Sequence, residues 1–174
     1  MLKKILGALV IVIVAVLGFA ATRPDSFTVQ RSTLVKAPPA KVYPLISDLK
    51  AFNTWNPFAA ADPTSKVTYE GAASGIGSAY RWQGGKSGEG RMELTGLEDG
   101  AKAAYKLDFT KPMEAQNTVE FSLAPQGEAT QVTWAMRGPM PFVSKVMTLF
   151  FDMDTMVGAE FEKGLASLKA LAER

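Results

Sequence analysis

The fold is decided by FVSKVMTLFFDMDTMVGAEFEKGLASLKAL, residues Phe142–Leu171, near the end of this 174-residue chain. Apolar residues recur there every three or four positions, which is the period of one face of an α-helix. Pro141 suits the first turn of a helix. The pattern predicts one long amphipathic helix that covers a broad apolar surface. Its apolar stripe comprises Phe142, Val146, Leu149, Phe150, Met153, Val157, Phe161, Leu165 and Leu168.

The surface under this helix is predicted to be an antiparallel sheet. Apolar and polar residues alternate from Lys66 to Gly138, with turn signals at short intervals. Hairpin signals at 98–100 and 126–128 make neighbouring strands antiparallel. A first strand is predicted over Phe27–Val35. The later candidates are Lys66–Tyr69, Gly77–Gln83, Gly90–Leu97, Ala101–Thr110, Ala115–Ala124 and Ala129–Arg137.

A short helix is predicted between the first strand and the others. Apolar residues recur at helical spacing from Pro39 to Leu49, and an aromatic, turn-rich stretch follows as far as Pro63. The predicted fold class is therefore α+β, with a curved antiparallel sheet wrapped around the long C-terminal helix.

Four segments carry a resemblance to a known superfamily. The motif Ala-Pro-Pro-x-x-Val lies at Ala37–Val42, and Leu-x-x-Phe-x-x-Trp-x-Pro lies at Leu49–Pro57. Glu89–Glu93 and Thr130–Trp134 are similar as well. Together they resemble the START-related helix-grip superfamily (SRPBCC), in its polyketide cyclase/dehydrase branch. The resemblance implies an apolar cavity between sheet and helix that binds lipids, sterols, polyketides or hormones. Catalytic cyclase members contain histidine, which this chain lacks.

The N-terminal segment is predicted to cross a membrane as a single helix. Residues Ile5–Thr22 carry no charge, and as a helix they would extend about 27 Å, enough for the hydrocarbon core of a bilayer. The sequence thus divides into an anchor (1–22), a linker (23–26) and a helix-grip domain (27–174). The residues expected to contact lipid are Ile5, Leu9, Val12, Val16 and Phe19.

Lys3 and Lys4 precede the apolar run and favour a cytoplasmic N-terminus. The domain is then periplasmic or otherwise extracytoplasmic, on a single-pass membrane protein. A cleaved signal peptide is the alternative, because Gly18-Phe19-Ala20 places small residues where a signal peptidase requires them. In that case the domain would be secreted.

Composition excludes several classes of function. Lys3 and Lys4 account for the net charge of +2, so residues 23–174 are formally neutral and no nucleic-acid partner is expected. The chain has neither histidine nor cysteine. We therefore expect no metal site, no cofactor and no His-dependent nucleophile. Any catalysis would depend on Asp, Glu, Lys, Tyr or Ser, and no catalytic residue is assigned.

Alternation along the strands predicts which side chains face the covering helix and line a ligand pocket. We expect the pocket to open near Trp55–Phe58 and Gly138–Phe142, with Asn117 as its main interior polar group. The predicted pocket residues are Trp55, Phe58, Trp82, Met92, Phe109, Asn117, Phe121, Trp134, Met136, Phe150 and Met153.

The predicted function is a membrane-anchored, exported binding module for an apolar small molecule, such as a lipid, fatty acid or isoprenoid. Its partners would be that ligand and the bilayer. Two alternatives stay open at this point. One is an accessory subunit that docks onto a membrane protein, and the other is a cyclase or hydratase that uses carboxylates.

Overall fold

The computed structural model describes residues 2–174, which begin with an apolar helix, α1 (Leu2–Ala21). This helix is long and apolar enough to cross a membrane, judged by length and composition alone. The predicted lipid-facing residues Ile5, Leu9, Val12 and Phe19 are exposed, and Val16 is half-buried.

A seven-stranded antiparallel sheet follows, with the spatial order β1-β7-β6-β5-β4-β3-β2. Register shifts at Glu89/Gly90 and Leu94/Gly96 interrupt the β4–β5 pairing, and irregularities of this kind bend a sheet. The strands are β1 (Ser26–Val35), β2 (Lys66–Gly71), β3 (Ser78–Gln83), β4 (Glu89–Glu98), β5 (Lys102–Lys111), β6 (Ala115–Gln126) and β7 (Ala129–Pro139).

Three short helices connect β1 to β2. They are α2 (Pro39–Ser47), α3 (Leu49–Asn53) and α4 (Pro57–Ala61). The predicted helix to Leu49 therefore ends two residues early, because the Asp48 side chain accepts hydrogen bonds from the Lys50 and Ala51 amides and begins α3. Asn56 caps α4 in the same way through the Phe58 amide, at 3.1 Å.

The C-terminal segment forms two helices, α5 (Phe142–Met147) and α6 (Met153–Ala172), so the prediction of one continuous helix is wrong. The chain turns at 148–152, and the Asp152 side chain accepts from the Thr155 amide to begin α6. The apolar stripe continues through the turn, and its periodicity therefore hides the break. Asp154, on the first turn of α6, pairs with Arg31 of β1 at 2.9 Å.

The α6 helix packs closely on the sheet because a glycine lies at the contact. A Cβ atom on Gly164 would lie 2.8 Å from the Trp134 ring and 2.9 Å from Pro57. Beside it, Phe161 stacks on Trp134 with ring centroids 4.0 Å apart and planes 8° apart. The prediction of a curved antiparallel sheet with a C-terminal helix across it is confirmed.

Candidate functional site: an apolar cavity beneath the C-terminal helix

A cavity of about 460 Å³ lies between helices α3, α4 and α6 and the inner face of the sheet, from β2 to β7. Its wall is built from side chains that alternation turns towards the helix layer. Exposed lining residues mark where the cavity meets solvent, on the side of α4, β2 and the β3–β4 turn. The apolar lining consists of Phe52, Phe58, Ala59, Pro63, Val67, Tyr80, Trp82, Met92, Leu107, Phe109, Val119, Trp134, Met136, Val157 and Phe161.

The other half of the interior is filled by packed aromatic rings. Trp55 lies edge-on to Phe52 and Trp134, at centroid distances of 4.9 and 5.6 Å. Its indole N–H donates to the Leu45 carbonyl of α2 at 2.9 Å. Phe121 is fully buried beneath these rings. The aromatic cluster therefore closes the cavity on the α2 side, while the smaller side chains of Met92, Leu107 and Val119 leave the space open.

Polar groups are concentrated at the rim. Asn53, Asp62, Ser65, Lys86 and Ser87 line the cavity where α4, β2 and the β3–β4 turn approach one another. A molecule in this site would therefore meet an apolar interior and a polar, partly charged mouth. That distribution fits an amphipathic small molecule whose polar end lies at the rim.

Asp62 holds the rim together. One of its oxygens accepts from the Ser87 amide at 2.8 Å, and the other accepts from the Thr64 hydroxyl at 2.8 Å. Gly85, with φ of +66°, passes so close that a Cβ atom there would lie 2.1 Å from both oxygens. The Trp82 indole also donates to the Ser87 carbonyl at 3.2 Å. The β3–β4 turn is thus fastened to the end of α4.

These contacts also set the charge of Asp62. The hydrogen bonds from the Ser87 amide and the Thr64 hydroxyl lower the pKa of the Asp62 carboxyl, although burial acts in the opposite direction. Asp62 is the one carboxylate in the cavity lining among residues 2–174. A carboxylate held ionised by two donors is a poor general acid, so its environment favours a structural role at the rim over catalysis.

A second polar group lies deeper, at Asn56 and Tyr80. The Asn56 amide donates to Asn53 at 3.0 Å and to the Tyr80 hydroxyl at 3.4 Å. Burial raises the pKa of the Tyr80 phenol, which therefore stays protonated. Within the described residues the Trp134 indole N–H has no hydrogen-bond partner. It is enclosed by rings, with Phe52 and Trp55 edge-on to it.

The structure brings several of the predicted pocket residues together around this cavity. They come from α4 and from four strands, and those on the strands face the helix layer as alternation predicts. These residues are Phe58, Trp82, Met92, Phe109, Trp134 and Met136. That they contact a ligand stays a prediction.

The other predicted pocket residues lie elsewhere. Trp55 and Phe121 belong to the packed aromatic cluster. Asn117 is half-exposed near the start of β6, where its oxygen lies against Gly138, so it is not the interior polar group. Phe150 is 70% exposed in the turn between α5 and α6. Met153 lines a separate groove beside residues 23–29.

The expected opening at Gly138–Phe142 is also displaced, because this stretch does not line the cavity. Sequence reasoning missed the rim residues Asn53, Asp62 and Lys86, and it also missed the deeper Asn56. The available signal was local: Asn56-Pro57 is a helix start, and Asp62-Pro63 follows six residues later. Nothing in that signal places Asp62 against the distant Ser87.

Residues 26–173 match the family model described as polyketide cyclase / dehydrase and lipid transport. The chain belongs to this family. Its membership confirms the helix-grip superfamily resemblance. Among curated proteins, none matches this sequence significantly.

Solved structures share the fold of this polyketide cyclase / dehydrase family member at low identity. Protein CV1439 from Chromobacterium violaceum superposes with a TM-score of 0.60 at 16% identity, over 87% of this chain and 99% of that one. Ara h 8.0201 gives a TM-score of 0.59 at 10% identity, over 84% and 97%. The major latex-like protein 151 of Panax ginseng gives 0.58 at 11% identity, over 84% and 97%. At these identities the likeness to the solved structures is one of fold, and the family description adds lipid transport.

Proposed function

We propose that this protein is a membrane-anchored carrier or sensor that holds a lipid, fatty acid or isoprenoid-like molecule in the cavity beneath α6. The observation that carries the proposal is the cavity itself, at about 460 Å³. Ligand sites occupy roughly 300–1,000 Å³ and combine apolar walls with few polar groups, as here. The family description, which includes lipid transport, supports the same ligand class.

In this proposal the anchor holds the cavity close to the bilayer in which its ligand is dissolved. An apolar ligand partitions into the bilayer, and a domain tethered there meets it at high effective concentration. The exposed apolar surface of α1 favours lipid contact along most of the helix. Lys3 and Lys4 favour a cytoplasmic N-terminus, which would place the domain outside the cytoplasm.

Native mass spectrometry of the full-length protein, released from detergent micelles, tests the ligand. We expect a population with one added mass in the range of a lipid or fatty acid, which organic extraction removes. Protein that carries only detergent, and that also fails to bind the fluorescent fatty acid cis-parinaric acid, would contradict the carrier proposal.

The anchor is tested separately. Membranes washed with alkaline carbonate should retain the full-length chain, and protease added to intact spheroplasts should digest the domain. Release of the chain by the wash would show that α1 does not anchor the protein, and a mature N-terminus at Ala21 would show that α1 is a cleaved signal segment.

A further inference from the structure

The segment between β7 and α6 exposes an apolar patch on the protein surface. We define the α5 patch as Phe142, Val143, Met147, Phe150 and Phe151. All five side chains are exposed, Phe150 by 70% and Phe151 by 60%. Val143 and Met147 lie one helical turn apart, on the side of α5 opposite the buried Lys145. Large exposed apolar patches mark interaction surfaces, and this one needs a partner.

The α5 patch adjoins the end of α1. Helix α5 contacts α1, on which Ala20 is buried and Val16, one turn earlier, is half-buried. The buried Lys145 ammonium pairs with Asp25 of the linker at 2.5 Å, and the Met140 amide donates to the Asp25 carbonyl at 2.7 Å. The linker therefore holds α5 beside the last turn of α1.

The turn after α5 lies against the same linker. Phe151 lines one groove together with Arg23 and Pro24, the residues that follow α1. The Arg23 guanidinium in turn lies 5.3 Å from the centroid of the Phe19 ring. The patch is thus continuous with the apolar surface of α1 at its C-terminal end.

We propose that the α5 patch inserts into the interfacial region of the bilayer that α1 enters, so that the domain rests on the membrane surface. This inference rests on the proposed function, because it requires α1 to span the membrane. Val16 lies about 7.5 Å along the helix axis from Ala21. A segment that contacts α1 at this level would lie about 5–10 Å into the interface, the depth typical of interfacial helices.

The bilayer suits this surface better than a second copy of the chain. A span of α1 ends near Ala21, so lipid surrounds the same level of the molecule that α5 occupies. The only charged side chain within α5, Lys145, points into the protein and is already paired with Asp25. The outward surface of α5 consists of phenylalanine, valine and methionine side chains. Such side chains insert readily at the boundary between lipid headgroups and acyl chains.

Lipid quenching of single-site fluorophores tests the proposal in the full chain. The protein has no cysteine, so Phe150→Cys, Val143→Cys, Val12→Cys and Ile76→Cys each carry one nitrobenzoxadiazole label. Ile76 is the matched control, because it is 60% exposed between β2 and β3, at the sheet edge farthest from β1. The variants are reconstituted into phosphatidylcholine and phosphatidylglycerol vesicles that contain spin-labelled lipids.

We expect spin labels near the headgroup to quench the fluorophores at positions 150 and 143 most strongly. Spin labels deep in the bilayer should quench the fluorophore at position 12. Neither kind should quench the fluorophore at position 76. Loss at 12 without loss at 150 and 143 would overturn the docking of the patch and leave the anchor intact. No loss at any site would overturn both. Blue-shifted emission at 150 that lipid does not quench, together with cross-linked dimers, would show that a second copy covers the patch.

Discussion

At the residue scale, Asp62 decides whether the rim of the cavity keeps its shape. Its two oxygens bind the Ser87 amide and the Thr64 hydroxyl, which are supplied by separate parts of the chain. We expect Asp62→Ala to speed hydrogen exchange of the Ser87 amide, because that donor loses its acceptor. Asp99→Ala, in the exposed β4–β5 hairpin, is the control and should leave this amide unchanged. Equal effects of the two changes would contradict the role of Asp62.

The same carboxylate gives the rim a defined response to acid. Its pKa in the folded protein lies below its ordinary value of 3.8, so its hydrogen bonds stabilise the fold above that pH. This stabilisation is lost as the pH falls through the lower folded-state pKa. We expect the protection of the Ser87 amide against hydrogen exchange to stay constant above pH 3.8, once the intrinsic exchange rate is taken into account. A loss of protection near neutral pH would show that another group fastens the turn.

At the scale of the element, Gly164 sets how closely α6 approaches the sheet. On an ordinary exposed helix a Gly→Ala change is stabilising by roughly 0.5–1 kcal/mol. Here the added methyl group would lie 2.8 Å from the Trp134 ring. We therefore predict that Gly164→Ala lowers the free energy of unfolding by about 1–3 kcal/mol, measured by urea titration. Ala166→Gly, on the exposed face of α6, is the control and should cost only its helix propensity. A stabilised Gly164→Ala protein would contradict this packing.

The ion pair between Lys145 of α5 and Asp25 of the linker predicts that substitutions of its two members lower stability by different amounts. The Lys145 side chain is 9% exposed, whereas that of Asp25 is 98% exposed. Asp25→Asn leaves a buried ammonium without its carboxylate, and Lys145→Met leaves only an exposed carboxylate in water. We expect Asp25→Asn to lower the midpoint of thermal unfolding further than Lys145→Met does. The reverse order would show that the pair does not position α5.

Most of the sheet could be predicted from the sequence, because strands and hairpins are local signals. Alternation correctly assigned Trp82, Phe109 and Met136 to the covered face. The break between α5 and α6 could not be predicted, because Phe150 and Phe151 extend the apolar stripe through a turn that the Asp152 cap creates. The extent of the cavity depends on which rings fill the interior. Trp55 packs into the interior, whereas Leu107 borders the open space. This difference depends on contacts between parts of the chain that are distant in sequence.

At the scale of the whole molecule, the proposal that α1 anchors the domain in a membrane predicts the effect of a charge within the helix. An arginine at the middle of a spanning helix costs about 2.5–3.5 kcal/mol of insertion free energy. We therefore predict that Val12→Arg lowers the fraction of protein retained by carbonate-washed membranes. Thr22→Arg places the same charge at the end of the helix and should have little effect. Equal retention of both variants would contradict a spanning α1.

The central claim is that the space beneath α6 holds an apolar ligand, and filling that space tests it most directly. Met136 and Leu107 both line the cavity, whereas Thr133 lies on the opposite face of β7. Met136→Trp and Leu107→Trp should abolish the binding of cis-parinaric acid, and Thr133→Trp should leave it intact. Each substitution should lower the free energy of unfolding by less than about 1.5 kcal/mol. Undiminished binding in both filled variants, or unfolding by ~3 kcal/mol or more because the interior was already packed, would contradict the claim.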